Sequence, residues 1–136
     1  MMALEGLDLA DSVSVYAAAR PSVLVAEDDE DCARAVSIML SDDYDVVVHG
    51  MGRDIVASFE VEVPDLLILD YELPDMNGVR LVETLRRRSQ VEFPAIMMSA
   101  YSNRCEAAKR AGFSLFLQKP FGRADLLRVV QSVFKD

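Results

Sequence analysis

Five short apolar runs, each followed by a stretch with helical periodicity, constrain the fold of this chain more than any other feature. The runs are Val23–Ala26, Val46–Val48, Leu66–Leu69, Ala95–Met98 and Leu115–Leu117. Each run is short enough for a strand and continuous enough to need cover on both faces, as strands of parallel sheets do.

Helical spacing separates and follows these runs. In three stretches the apolar side chains share one helical face: Ala33, Val36 and Leu40; Val79, Val82 and Leu85; and Leu126, Val130 and Val133. Weaker helices fit Arg53–Val61 and Asn103–Ala111, the second of which is ended by Gly112. Five strands alternating with five helices predict an α/β fold, a doubly wound parallel sheet with right-handed crossovers.

Length and composition limit the classes of protein to which the chain can belong. Its 136 residues, 51% hydrophobic and 27% charged, predict a single globular domain. Because the net charge is −9, we expect no direct nucleic-acid partner and no membrane partner. Cys32 and Cys105 form neither a disulfide framework nor a zinc spacing, and no apolar run reaches the roughly 20 residues of a membrane span. We therefore expect a cytoplasmic protein.

Residues 1–20 precede the first predicted strand and lack the cationic start and continuous apolar core of a signal peptide. Leu4, Leu7 and Leu9 fit either a short helix or a frayed tail. The predicted organisation is an N-terminal extension over 1–20, with flexibility as one option, and one domain over 21–136.

Charge is distributed unevenly along the chain. Residues 21–75 carry 15 acidic and 2 basic side chains, a net charge of −13, whereas residues 76–136 carry 5 acidic and 11 basic ones, a net charge of +6. This asymmetry predicts an acidic site from the first half and a more basic surface from the second. For Arg86–Arg88 a simpler interpretation is preferred, because cations are favoured at the C-terminus of a helix.

Polar and charged side chains stand where the predicted strands end. They are Glu27 and Asp28 after the first strand, Asp70 after the third, Ser99 after the fourth and Lys119 after the fifth. Because the carboxyl ends of parallel strands share one edge of the sheet, we expect these groups to converge. Crowded carboxylates favour a cation such as Mg²⁺, while a lysine and a hydroxyl can hold phosphoryl oxygens.

Each of these residues also has a purely structural interpretation. The acids Asp29, Glu30 and Asp31 suit the N-cap and first turn of a helix, and Ser99 suits a helix cap. A single aspartate after a strand suits a turn. The presence of all these groups at successive strand ends is harder to explain in this way.

Four segments together resemble a known family. VLVAEDDED (23–31), LLILDYELPDMNG (66–78), IMMSA (96–100) and FLQKPF (116–121) occur here in the order and spacing of response-regulator receiver domains of two-component signalling. The resemblance covers residues 22–135 and extends to single-domain chemotaxis regulators. It implies a flavodoxin-like (βα)5 fold with strand order 2-1-3-4-5.

The resemblance also assigns roles to individual residues. Asp70 matches the aspartate that accepts a phosphoryl group to become 4-aspartylphosphate. Ser99 and Lys119 match the hydroxyl and the lysine that engage this group, and Phe116 matches the aromatic residue whose rotamer switches. The Lys119–Pro120 peptide bond matches one that is cis in the family.

The implied cofactor is Mg²⁺. Its ligands would be Asp70, Asp28 and the backbone carbonyl of Glu72, with Glu27 acting through water. The chain departs from the commoner pattern in having Glu27 for an aspartate, Ser99 for a threonine and Phe116 for a tyrosine. Glu72 and Tyr101 are expected to tune the lifetime of the phosphoryl group.

The function implied is a bacterial signalling switch. A phosphohistidine on a sensor histidine kinase or phosphotransfer protein would donate the phosphoryl group, and the surface of helix 4, strand 5 and helix 5 would then control a downstream partner or output domain. The basic residues of that surface are Arg104, Lys109, Arg110, Arg123 and Arg128. We expect a phosphoacceptor that assists its own phosphorylation and dephosphorylation, not an enzyme. The alternative is a pseudo-receiver that binds partners without being phosphorylated.

Overall fold

The computed structural model describes residues 20–135, and the predicted N-terminal extension therefore lies almost wholly outside the described residues. The strands are β1 (Ser22–Ala26), β2 (Asp45–His49), β3 (Leu66–Asp70), β4 (Ala95–Ser99) and β5 (Leu115–Gln118). The helices are α1 (Glu30–Leu40), α2 (Gly52–Val61), α3 (Gly78–Ser89), α4 (Arg104–Arg110) and α5 (Arg123–Phe134). All ten predicted elements are confirmed, and where bounds were predicted the ends differ by one residue at most.

The five strands form one parallel sheet in the order β2-β1-β3-β4-β5, as predicted. The register places Ala26 opposite Leu69 and Asp70 opposite Met98. Ser99 lies opposite Gln118, so Lys119 follows directly beyond the last pair of β4 and β5. The ends of β1, β3, β4 and β5 therefore meet at one edge, where the polar groups were expected.

Apolar side chains pack on both faces of the sheet. One core layer joins Leu24, Leu67 and Met97 to α2, α3 and α4. The other joins Val25, Ile68 and other strand residues to α1 and α5. The three central strands are buried on both faces because helices cover each side, and this rigid scaffold fixes the positions of their carboxyl ends.

The expectation of cover on both faces is wrong for the two outer strands. Val47 of β2 is 53% exposed and Leu115 of β5 is 37% exposed. Both strands lie at the ends of the sheet, where a helix covers only part of the strand surface. The apolar runs predicted strands correctly but did not reveal which strands lie at the edges.

Arg86, Arg87 and Arg88 lie in the last turn of α3, where the helix dipole favours cations, as expected. Arg86 also donates hydrogen bonds to the carbonyl oxygens of Ala111 (2.6 Å) and Gly112 (3.0 Å), just beyond α4. Gly112 has a φ of 82°, which suits glycine and confirms the predicted end of that helix. Arg86 thus ties the end of α4 to α3.

Within residues 20–135, no helix combines the length and the apolar character needed to cross a membrane.

Candidate functional site

Asp70 ends β3 with its side chain largely buried and both carboxylate oxygens engaged. Its Oδ1 accepts a hydrogen bond from the backbone N–H of Glu72 at 2.9 Å, and its Oδ2 lies 2.5 Å from Nζ of Lys119. The sheet positions the Asp70 carboxylate, while the turn after β3 and the lysine after β5 orient it. Asp70 and Lys119, predicted from separate motifs, are brought into direct contact.

Lys119 bridges two carboxylates. Its Nζ lies 2.5 Å from Oε1 of Glu27 as well as 2.5 Å from Oδ2 of Asp70. Burial disfavours the charged ammonium, but the hydrogen bonds and charges of Asp70 and Glu27 outweigh burial and raise the pKa of Lys119 above its ordinary value of 10.5. Lys119 is therefore fully charged at neutral pH and offsets one of the two carboxylate charges beside it.

Glu27 is buried at the start of the loop after β1, with 2% of its surface exposed. Its Oε2 accepts a hydrogen bond from the backbone N–H of Asp29 at 3.1 Å, while Oε1 contacts Lys119. Both oxygens of Glu27 are thus used within the protein. Asp28 instead is exposed at the edge of the sheet, where its carboxylate is open to a ligand.

Asp29, Glu30 and Asp31 have the structural role that the sequence predicts, as the N-cap and first-turn acids of a helix. Asp29 is the N-cap of α1 and accepts a hydrogen bond from the backbone N–H of Asp31. Glu30 and Asp31 lie in the first turn, where the helix dipole favours acids.

Ser99 is buried at the end of β4, beside Lys119 in the sheet. Its backbone carbonyl accepts a hydrogen bond from the backbone N–H of Lys119 at 2.8 Å. Its Oγ accepts one from the backbone N–H of Tyr101 at 3.0 Å. Ser99 is not the N-cap of α4, which is Asn103. The helix-cap interpretation of Ser99 is therefore wrong.

The predicted cis peptide bond between Lys119 and Pro120 is confirmed. Phe116 lies in β5 opposite Met97 and packs, partly buried, against the core layer that includes α4. Phe116 thus lies within β5, three residues before Lys119, which follows the end of that strand.

The loop between β3 and α3 closes on itself next to Asp70. The backbone N–H of Gly78 donates to the carbonyl oxygen of Tyr71 at 2.5 Å, and Glu72 forms a bridge with Asn77. A Cβ atom at position 78 would stand 2.9 Å from the carbonyl oxygen of Asp70. Glycine is required at position 78 because the loop backbone approaches β3 so closely.

Asp75, in this loop, is a residue that sequence reasoning missed. Its carboxylate accepts hydrogen bonds from the backbone N–H groups of Gly52 (2.7 Å) and Arg53 (2.9 Å), which begin α2. Desolvation acts to raise the pKa of Asp75, but the amide hydrogen bonds outweigh it and lower the pKa below the usual 3.8. The one sign in the sequence is Met51 at the N-cap of α2. A methionine side chain cannot accept hydrogen bonds from the first amides of a helix, so another residue must do so.

Sequence reasoning also missed how Arg104 is held. Its guanidinium carbon lies 4.2 Å from the ring centre of Tyr71 and 5.9 Å from that of Tyr101. One of its terminal nitrogens lies 3.5 Å from a carboxylate oxygen of Glu72. Arg104, which was expected on a partner surface, therefore packs against residues that adjoin Asp70 and Ser99 in the chain.

Cys32, on α1, lies near Glu27 and Lys119. Burial, reinforced by the Glu27 carboxylate, raises the pKa of the Cys32 thiol to about 12. The thiol stays protonated at neutral pH, so Cys32 is a packing residue beside the site and not a nucleophile.

The donor groups fit Mg²⁺. Asp28, Asp70 and the carbonyl of Glu72 offer oxygen ligands, which this ion prefers, and it commonly binds through one or two carboxylates plus water. No three acidic, cysteine or histidine side chains within residues 20–135 are grouped as a preformed metal cage. The arrangement suits an ion that retains much of its water.

The model of the response regulator receiver domain matches residues 23–131. The chain belongs to this family. It is a receiver domain of two-component response regulators, a family in which phosphorylation and Mg²⁺ at the phosphorylation site are general features. The resemblance seen in the four sequence segments is thereby confirmed.

Bacterial relatives are similar over most of the described residues. An uncharacterized 14.6 kDa protein of Leptolyngbya boryana is 34% identical, and the match covers 83% of this receiver and 89% of that protein. The sensory transduction protein RegX3 of Mycolicibacterium smegmatis is 32% identical, with 84% of this receiver covered. The receiver spans half the length of RegX3, and likewise half that of the cell cycle response regulator CtrA of Brucella ovis.

Among solved structures, the chemotaxis response regulator CheY4 of Vibrio cholerae is similar with a TM-score of 0.79 and 29% identity. That match covers 85% of this receiver and 99% of the CheY4 chain. The non-phosphorylated HemR receiver domain of Leptospira biflexa matches with a TM-score of 0.76 and 25% identity, covering 86% of this receiver and 96% of that chain.

Proposed function

We propose that this receiver accepts a phosphoryl group on Asp70 from a phosphohistidine of a sensor histidine kinase or histidine phosphotransfer protein. The observation that carries the proposal is the contact of Lys119 with the Asp70 carboxylate at the edge of the sheet. Ser99, at the end of the neighbouring strand, adds a buried hydroxyl whose hydrogen can be donated. A nucleophilic carboxylate, a cation and a hydroxyl donor are the groups that phosphoryl transfer to an aspartate needs.

In the transfer, a carboxylate oxygen of Asp70 attacks phosphorus in line with the nitrogen of the phosphohistidine. The phosphorus–oxygen bond forms as the phosphorus–nitrogen bond breaks, and the imidazole leaves with the bonding electron pair. The ammonium of Lys119 offsets negative charge on the phosphoryl oxygens, and Ser99 donates a hydrogen bond to one of them. The product is an acyl phosphate, which carries about two negative charges at neutral pH in place of the single charge of the carboxylate.

Asp28, Asp70 and the backbone carbonyl of Glu72 would hold Mg²⁺, and Glu27 would act through water. When bound, the ion supplies positive charge that stabilises the phosphoryl oxygens during transfer. Glu27 also contacts Lys119 directly. This pairing keeps the lysine beside Asp70.

Phosphorylation then shifts a two-state equilibrium. Ser99 and Lys119 are drawn toward the phosphoryl group, and Phe116 turns inward behind them. Because Ser99 is linked to the segment before α4 and Phe116 lies in β5, the surface of α4, β5 and α5 changes. This surface would control a downstream protein partner or an output domain.

The charges available to a partner are fewer than the sequence indicates. Arg104 is paired with Glu72, Arg128 lies 3.0 Å from Asp125, and Arg123 lies 3.8 Å from Asp42. Two exposed cations of α4, Lys109 and Arg110, make no ion pair within residues 20–135. Arg110 also lines a groove of about 620 Å³ between α3 and α4, where three arginines, Arg80, Arg87 and Arg110, outnumber one acid, Glu83. An acidic partner segment suits this side of α4.

The chain acts as a phosphoacceptor that assists its own phosphorylation and dephosphorylation, with no separate substrate to turn over. The groups beside Asp70 serve the covalent chemistry of Asp70 itself. The second candidate, a pseudo-receiver that acts without phosphorylation, has no structural feature in its favour among the residues that the structure describes.

The test is the intact mass of the protein after incubation with Mg²⁺ and phosphoramidate, a small donor with a phosphorus–nitrogen bond. We expect wild type to gain one phosphoryl group, and Asp70→Asn or wild type without Mg²⁺ to gain none. If wild type gains none from phosphoramidate or from a phosphorylated histidine phosphotransfer protein, the pseudo-receiver function replaces the proposed one.

A further inference from the structure

Arg104, the first residue of α4, touches three side chains around the entrance to Asp70. Its guanidinium stacks over Tyr71, lies within cation–π range of Tyr101 and pairs with Glu72. Tyr71 directly follows Asp70 in the chain. One arginine thus links the loop after β3 to the segment after β4.

Arg104 contacts the two residues, Glu72 and Tyr101, whose backbone N–H groups bind Asp70 and Ser99. The backbone N–H of Glu72 binds Oδ1 of Asp70, and the backbone N–H of Tyr101 binds Oγ of Ser99. Arg104 holds the side chains of these same two residues. Its position therefore affects the surroundings of the acceptor and of the hydroxyl donor together.

Arg104 is fixed in place by packing. Only 33% of its side chain is exposed, and its buried Nε has no hydrogen-bond partner within residues 20–135. A buried N–H without a partner is unfavourable, so contacts with the two rings and with Glu72 must compensate for it. An arginine that served only to present charge on a surface would leave this nitrogen in water.

We propose that Arg104 is a positioning residue that restrains Tyr101 and Glu72 beside the phosphorylation site and lengthens the lifetime of the phosphoryl group. The inference rests on the proposed phosphorylation of Asp70. In the reaction that it slows, a water oxygen attacks phosphorus and the bond between phosphorus and the Asp70 oxygen breaks. The Asp70 carboxylate and inorganic phosphate are released.

Both contacts act in the same direction. Tyr101 is 54% exposed, and the guanidinium of Arg104, 5.9 Å from the ring centre, restrains this ring so that it hinders the entry of water. Pairing with Arg104 also holds the Glu72 carboxylate away from a water molecule that it would otherwise orient or deprotonate. Removing the guanidinium loosens the ring and releases the carboxylate, so water reaches phosphorus more easily.

The test is the rate at which the purified protein, phosphorylated by phosphoramidate and Mg²⁺, loses its phosphoryl group after the donor is removed. We expect Arg104→Ala to lose it about threefold to tenfold faster than wild type, the size expected for one cation–π contact and one exposed ion pair. Arg104→Lys should be intermediate, because lysine keeps the charge toward Glu72 but not the flat stacking surface. Glu106→Gln, an exposed change on the same helix, should match wild type.

A double-mutant comparison separates positioning from a general loosening of α4. In a Tyr101→Ala, Glu72→Gln background, adding Arg104→Ala should leave the rate unchanged, because the residues through which Arg104 acts are gone. An undiminished acceleration in that background, or a wild-type rate in Arg104→Ala alone, would overturn the inference while leaving the proposed function intact. Failure of wild type to become phosphorylated would overturn both.

Discussion

Nζ of Lys119 lies 2.5 Å from Oε1 of Glu27, a buried carboxylate 92 residues earlier in the chain. This contact gives Lys119 a structural role in addition to its role beside Asp70. A buried carboxylate is costly to keep charged unless a cation accompanies it. Lys119 therefore stabilises the fold as well as preparing the site.

Replacing Lys119 with methionine should destabilise the receiver. The variant keeps the aliphatic stem but leaves Glu27 and Asp70 without their cation, and loss of one partner from a buried pair typically costs about 3 kcal/mol or more. The free energy of unfolding in urea measures the effect. Lys109→Met, an exposed change on α4, is the matched control, and equal losses in the two variants would show that the burial of Glu27 does not matter.

The contribution of Lys119 should also depend on pH. Because the pKa of Lys119 is raised in the folded state, its stabilisation is fully present below the unfolded value of about 10.5 and is lost as pH rises through the higher folded pKa. The difference in unfolding free energy between wild type and Lys119→Met should stay constant near neutral pH and shrink above about pH 10.5. A difference that shrinks well below that pH would contradict the assignment.

Gly78→Ala should destabilise the protein and slow the phosphorylation of Asp70. The new Cβ would stand 2.9 Å from the carbonyl oxygen of Asp70 and 3.2 Å from Cα of Tyr71. These are backbone atoms that must shift, at a typical overpacking cost of about 1–3 kcal/mol. Gly122→Ala is the control, because a Cβ at position 122 meets no atom within 4 Å. Thermal unfolding and intact mass after treatment with phosphoramidate report the two effects.

Asp75→Ala should cost about 1 kcal/mol, the usual effect of removing a helix cap. Because its pKa is lowered in the folded state, the stabilisation is present above the unfolded value of about 3.8 and disappears as pH falls through the lower folded pKa. Urea unfolding of wild type and variant at neutral and acidic pH measures this loss. Glu92→Ala, another exposed acid, should show little effect, and a pH-independent cost in Asp75→Ala would argue against the carboxylate as the cap.

Tyr101→Ala should shorten the lifetime of the phosphoryl group on Asp70. Removing the ring opens a path for water beside Ser99, so the first-order loss of phosphoryl mass should be several times faster than in wild type. Tyr101→Phe keeps the ring and should stay close to the wild-type rate. An unchanged or slower loss in Tyr101→Ala would remove the shielding role.

The sequence predicted the architecture because its signals are periodic and local. Runs such as Leu66–Leu69 and faces such as Val79, Val82 and Leu85 determine which segments are strands or helices. The rule that ligands bind at the carboxyl ends of parallel strands then located Asp70, Ser99 and Lys119 correctly at one edge. Exposure of the outer strands was not predictable from local patterns, because it depends on the order of strands in the sheet.

The contacts within the site could not be predicted in the same way. Asp75 belongs to a turn in which an aspartate is ordinary, and only the folded chain brings it to α2. Arg104 was counted as a surface charge, because composition does not reveal that two tyrosines earlier in the chain, Tyr71 and Tyr101, contact its guanidinium. Asp75 joins a loop to the start of α2, and Arg104 joins the start of α4 to the loop after β3. Spacing in the sequence carries no information about such contacts between distant segments.

The hydrogen bonds from Gly52 to Asp75 have a consequence for the order of assembly. The chain is synthesised from its N-terminus, so α2 leaves the ribosome before the residue that caps it, 23 positions later. Residues 52–61 can form a helix early. Their first amides must bind water until β3 has joined the sheet and the loop after β3 has brought Asp75 to them. We expect the start of α2 to become protected later than the rest of that helix, together with the loop after β3.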